Sequence, residues 1–315
     1  MSFASQVKEE TARLECTDEE KRAELCACVK LLSTLSLQHD GLTLTIRCKN
    51  PTVIKMISLD LQELYGVKPR LLAIADQRFD KSSVYALKLD QQVRGILEDL
   101  DLWTEQGLME HPHMSFLASE AMVKAYLRGA FLAAGSVNDP SSTNYHMEIA
   151  VPEEGHARFL VRLMQKFYIQ ARITRRRSRY VVYVKASEQI SDFLRVIGAN
   201  QAIFEFEDVR IRRDFVNNLS RLNNCELAND AKSLATASKQ YQAALYLKQS
   251  GRLDQLSEKD REMAQLRIAE PDASLMELAA AYESRTGTRL SKSGIRHRFL
   301  KIIDLAEKYQ GKEQL

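Results

Sequence analysis

The sequence predicts an α+β fold in two parts: a duplicated αββαββα domain carrying a pair of antiparallel sheets, then an all-α domain. Three observations carry this. Segments 102 residues apart agree in type and order. Each copy holds two pairs of stretches with strand-like alternation, with helix-period stretches before, between and after them. The last third shows only helical periodicity with capping residues. Four segments are expected: a helical extension (1–19), the duplicated domain (20–200, repeats about 20–103 and 119–200), a linker (201–226) and the all-α domain (227–315).

The offset is seen residue by residue. Leu25 falls on Leu127, Ala27 on Gly129, Leu61 on Leu163, Tyr65 on Phe167, Val67 on Ile169 and Arg70 on Arg172. The first copy opens with the helix KRAELCACVKLLS (21–33). A hairpin follows, with Asp40-Gly41 as its turn. An amphipathic helix (51–66) is opened by Pro51, whose missing N–H costs nothing in a first turn. Strands over 68–75 and 83–90 and a helix over 91–103 complete the unit. The second copy repeats the order: helix 119–134, a hairpin with a longer loop, helix 152–169, strands QARITRRR and RYVVYVKA, and a closing helix from Ser187. Ala27 and Gly129 hold equivalent places in the first helices. A mid-helix glycine costs about 1 kcal/mol against alanine, which close packing of the two helices would offset.

Composition narrows the function. With 45% hydrophobic and 28% charged residues, the 315-residue chain can bury real cores. No apolar run approaches the roughly 20 residues of a membrane span, and the mixed-charge N-terminus lacks a signal-peptide core. Five cysteines fit a reducing compartment, so a cytoplasmic location is expected. CAC at 26–28 has no second pair and no histidine at zinc spacing, and HPH at 111–113 is an incomplete ligand set. Neither is read as a metal site, and no cofactor is expected.

Duplicated αββαββα units, each opened by such a helix, resemble the LAGLIDADG homing endonuclease fold, which implies that the two antiparallel sheets form a saddle-shaped pair. YLRGAFLAAGSV (126–137) is similar to the form that motif takes in the WhiA family of bacterial regulators, and FVNNLSRLNNCELAND (215–230) looks like that family's segment after the second unit. The resemblance covers nearly the whole chain. In the nucleases each motif helix ends in an acid that holds a divalent metal. Those positions fall here on Leu32 and Ala134, neither of which offers Mg²⁺ an oxygen ligand. The resemblance therefore implies a catalytically silent, DNA-binding transcription regulator, tied to cell division and chromosome segregation, and to sporulation in actinomycetes. A nuclease with displaced acids (Asp139 being nearest) and an adaptor whose first domain binds a protein are the rival readings.

Double-stranded DNA is the expected partner, a protein co-regulator a further one, and a monomer the favoured state. Three basic regions could meet nucleic acid. The second-copy hairpin carries Arg172, Arg175, Arg176, Arg177 and Arg179 without an acid; alternation places Arg172 and Arg176 on one face, Arg175 and Arg177 on the other. The first-copy hairpin is weaker: Lys68, Arg70, Arg78, Lys81 and Lys88, with Asp76 and Asp80 among them. The linker offers Arg210, Arg212, Arg213, Asn218 and Arg221, either as backbone contacts to DNA or as hydrogen bonds at a domain junction.

The all-α domain ends with a short helix, a stop at Gly287 and a basic helix opened by Ser291, a helix-turn-helix pattern. Ile295, Phe299, Ile302, Ile303 and Ala306 form its apolar stripe. Lys292, Ser293, Arg296, His297, Arg298 and Lys301 lie off that stripe, with His297 or Arg298 as a candidate internal brace. The resemblance assigns this helix to DNA recognition.

Overall fold

The computed structural model describes residues 2–38, 41–74 and 84–313, in two compact units, 1–214 and 215–315. Of the sequence-level readings, Asp40 in the first turn and Asp76, Arg78, Asp80 and Lys81 in the first-copy hairpin lie outside the described residues.

In the first unit, helix α1 (Phe3–Thr11) precedes two copies of one pattern. The first is α2 (Asp18–Leu32), β1 (Ser33–Gln38), β2 (Gly41–Cys48), α3 (Pro51–Tyr65), β3 (Arg70–Ile74), β4 (Val84–Leu89) and α4 (Val93–Asp99). A small hairpin, β5 (Trp103–Thr104) and β6 (Gly107–Leu108), leads on; sequence patterning had not marked it. The second copy is α5 (Glu120–Ala134), β7 (Gly135–Val137), β8 (Met147–Val151), α6 (Glu154–Gln165), β9 (Arg172–Arg176), β10 (Arg179–Val184) and α7 (Ser187–Val196). The two four-stranded sheets share one order, β1-β2-β4-β3 and β7-β8-β10-β9.

Local chemistry sets the boundaries. Thr17 and Glu20 form a capping box on α2, and Ser119 caps α5. Asn50 caps α3, with Pro51 in its first turn as expected. Both copies share one core. Its buried residues include Leu25, Cys26 and Cys28 from α2, Tyr126, Leu127 and Phe131 from α5, and Leu44, Ile46, Ile149 and Val182 from the sheets. The paired cysteines 26 and 28 thus serve as small apolar residues. His111 stacks on Phe159, and His113 bonds Asp101 through its backbone N–H and ring.

The second unit has its own core. The end of α8 (Asn200–Gln249) brings Ala243, Ala244 and Leu247 onto α9 (Glu258–Ala269), α10 (Leu275–Thr286) and α11 (Lys292–Glu313). Helix α8 is continuous through residues 201–226, so the segment read as a linker is helical throughout.

Candidate nucleic-acid interface

The motif helices α2 and α5 pack directly on each other. A Cβ built on Gly129 would overlap the Glu24 backbone carbonyl, so only glycine fits at this contact. The Cys28 Sγ donates across the same contact to the Gly129 carbonyl, 3.5 Å away. Beside it lies a buried ion pair. The Arg128 Nη2 and Nε stand 2.6 and 2.7 Å from one Glu24 carboxylate oxygen, with side chains 7% and 4% exposed. Burial pushes the Glu24 carboxyl above its ordinary range, and Arg128 pulls it back.

Leu32 and Ala134 are the last residues of α2 and α5. Asp139 is turned into its own loop, where it accepts bonds from the Ser141 N–H and hydroxyl at 2.9 and 2.5 Å. Among the described residues no three His, Cys, Asp or Glu side chains converge as a metal site.

Strand register divides the cations between the faces of the sheets. In β9–β10, Arg176 pairs with Arg179 and Arg172 with Tyr183, on the face opposite the buried Val182 and Val184. Arg172, Arg176 and Arg179 therefore share the solvent face. Arg176 also reaches Glu148 at 3.6 Å. Arg175 is on the other face, over the Tyr180 ring at 5.9 Å. Arg177 departs from the alternation reading: it sits in the turn with φ 56°, outside either strand. The first sheet carries a matching cross-strand row, Thr34, Thr45, Lys88 and Arg70. Its counterpart in the second sheet is Ser136, Glu148, Tyr183 and Arg172. Arg70 and Arg172, one repeat apart, end the two rows.

The helix α8 residues divide. Arg213 donates from both Nη atoms to the Ser142 and Thr143 carbonyls at 2.6 Å and lies over the Tyr145 ring. It pins the 138–145 loop. Arg210 pairs with Glu207 and Arg212 with Asp208, each at 2.9 Å on the same helix. Asn218 and Arg221 are exposed.

In the second unit, α10 ends at Gly287, whose φ of 69° suits a residue without a side chain. The Ser291 hydroxyl then accepts from the Gly294 N–H at 3.1 Å, opening α11. Ile295, Phe299, Ile302, Ile303 and Ala306 are buried in the core of the unit. Lys292, Ser293, Arg296, His297 and Lys301 are exposed. Arg298 is the brace: its Nη1 lies 2.7 Å from buried Asp260, which also takes a bond from the Ser257 hydroxyl. A second internal clamp had no signal in the sequence. Arg267, 1% exposed, donates to the Ala273 carbonyl at 2.6 Å and the Gln240 side chain at 2.8 Å, closing the α9–α10 turn.

Among the described residues no helix is long and apolar enough to cross a membrane. Three family models match: the WhiA N-terminal LAGLIDADG-like domain over 18–103, the WhiA LAGLIDADG-like domain over 123–216 and the WhiA C-terminal HTH domain over 219–306. A "Probable cell division protein WhiA" of Latilactobacillus sakei is 41% identical over 99% of both chains. One of Oceanobacillus iheyensis is 37% identical over 100% of both. The crystal structure of a full-length DUF199/WhiA protein from Thermatoga maritima has the same fold, with a TM-score of 0.57 at 22% identity, covering 98% of this chain and 99% of that one. The match in three consecutive domains and over the full length of curated relatives places this chain in the WhiA family.

Proposed function

We propose that the chain is a sequence-specific DNA-binding transcription regulator, without nuclease activity, that acts in cell division and chromosome segregation at the nucleoid. The observation that carries this is the split of α11 into a buried stripe and an exposed cationic face, on the second helix after a tight turn. Ser293 and Arg296, near the helix start, meet base edges; Lys292 and Lys301 hold phosphates. His297 flanks them. The names of the relatives support the cell-division role, and the WhiA C-terminal HTH match supports the DNA reading.

The first unit adds affinity without sequence preference. Arg172, Arg176 and Arg179 face one way, so they can meet one backbone together; Arg175 and Arg177 do not join them. Replacing Arg172, Arg176 and Arg179 with glutamine should flatten the salt dependence of duplex binding by up to about 0.9 per lost phosphate contact, with site preference unchanged. An unaltered slope would assign this face to a protein.

Two-metal cleavage needs carboxylates to anchor the ions, and the motif helices end in Leu32 and Ala134. Supercoiled plasmid should therefore stay intact with Mg²⁺ or Mn²⁺ present. Nicking that co-purifies with the protein and disappears in Asp139→Ala would restore the nuclease reading.

A further inference from the structure

A cavity of about 860 Å³ lies in the first unit between helix α3 and the stretch 12–16 that joins α1 to α2. Its size falls among small-molecule sites, about 300–1,000 Å³. Asp60 of α3 lines it and is 7% exposed. This acid continues the buried stripe of Val53, Ile54 and Ile57, where helical spacing calls for an apolar side chain. The repeat alone does not bury this position: Arg162, the counterpart one repeat on, is exposed.

Among the described residues the Asp60 carboxylate makes no hydrogen bond and no ion pair. The cations that act on it are engaged elsewhere. The Lys21 Nζ lies 2.7 Å from Glu63. Arg128 gives its Nη2 and Nε to Glu24, and its Nη2 also to the Cys16 Sγ at 2.9 Å. Burial, and then the Glu24 charge, push the Asp60 carboxyl up to about 7; Lys21 and Arg128 offset this in part, and Glu63 adds to it.

A buried carboxylate without a counter-charge is unfavourable, and a ligand that brings N–H donors with a positive charge relieves it. The donors do not converge for a metal: among the described residues no three His, Cys, Asp or Glu side chains come together. Part of the wall is apolar. Leu14 and Met56 are half-buried and Leu59 is 46% exposed, which suits an alkyl stem. Arg13, Glu15 and Lys55 stand exposed around the opening, where water and salt screen them.

We propose that this cavity binds a small organic cation, an alkylguanidinium or alkylammonium, whose N–H groups pair with Asp60 while its stem rests on Leu14, Met56 and Leu59. The proposal does not depend on DNA binding by either unit.

The test uses full-length protein without DNA, labelled with carbon-13 at the aspartate carboxyls. The probes are n-butylguanidine and n-butylamine, both cationic at pH 8 and below, with n-butanol as the uncharged control. At pH 8 at least one cation should shift the Asp60 carboxyl resonance saturably, and n-butanol should not. The probe pairs with the ionised carboxyl, so its Kd should rise about tenfold for each pH unit below about 7. Glu24, Lys21, Glu63 and Arg128 also act on Asp60, so Asp60→Asn completes the assignment. Checked for a wild-type Tm and followed by calorimetry, it should lose at least tenfold in affinity at pH 8, and the pH dependence with it. If that variant does not fold, the wild-type carboxyl shift and its pH dependence still decide. No saturable shift with either cation overturns the proposal, as does an equal response to n-butanol or wild-type affinity in folded Asp60→Asn.

Discussion

Replacing Arg128 with methionine should destabilise the first unit by about 3–5 kcal/mol, the usual consequence of removing one partner from a buried ion pair. The lost energy is not the worth of the pair. It is the cost of leaving the Glu24 carboxylate in a core where its side chain is 4% exposed and, among the described residues, Arg128 is its one ion-pair partner. Removing both charges, with Glu24→Met and Arg128→Met together, should recover most of the loss. The pH dependence has a definite sign. Glu24 is already raised above the ordinary carboxyl range by burial, and without Arg128 it rises further. A carboxyl raised on folding favours the folded state only while protonated, that is, at pH near and below its unfolded value of about 4.3. The single variant's deficit should therefore be smallest near pH 4 and reach full size above the raised value. Thermal unfolding of single and double variants across that range is the measurement. A deficit independent of pH would mean that Glu24 is not the group left behind.

Gly129→Leu should destabilise the same unit by at least the about 1–3 kcal/mol typical of overpacking. The obstacle is backbone. Even a Cβ at 129 overlaps the Glu24 carbonyl, and its Cα is 3.0 Å away. A side-chain neighbour could rotate aside; the backbone of α2 can yield only by separating the two helices. Gly129→Ala should therefore already lower Tm, against the helix-propensity gain of about 1 kcal/mol that alanine brings elsewhere. An unchanged Tm in Gly129→Leu would show that α2 and α5 do not cross at this residue.

Much of this was legible because the repeat fixed the frame. Ala27 and Gly129 fall at one offset, and small residues in matched helices predict a close crossing. The stripe of Ile295, Phe299, Ile302, Ile303 and Ala306 follows helical spacing, and those residues are the buried ones. Arg177 defeated the pattern because alternation assumes an unbroken strand, whereas the chain turns there with φ 56°. The sequence left two readings open for Arg213 and a brace open between His297 and Arg298. What engages Arg213 and Arg298 is a carbonyl 71 positions away and a carboxylate 38 positions away, distances no local pattern carries. The Glu24–Arg128 pair left a faint signal: one acid and one base, each interrupting the apolar stretch of a motif helix.

The central claim is that α11 reads DNA sequence through Arg296, and one comparison tests it. Affinities of Arg296→Ala and Lys301→Ala are measured for the cognate site and for scrambled duplex at one fixed salt concentration. A bidentate arginine–guanine contact provides about 1–3 kcal/mol of discrimination. Arg296→Ala should lose about 10- to 100-fold on the cognate site, with little change on scrambled DNA and a relaxed preference at one base pair. Lys301→Ala should weaken both duplexes by a similar factor. Equal losses on both duplexes in Arg296→Ala would make Arg296 a phosphate clamp and contradict the assignment of the reading face.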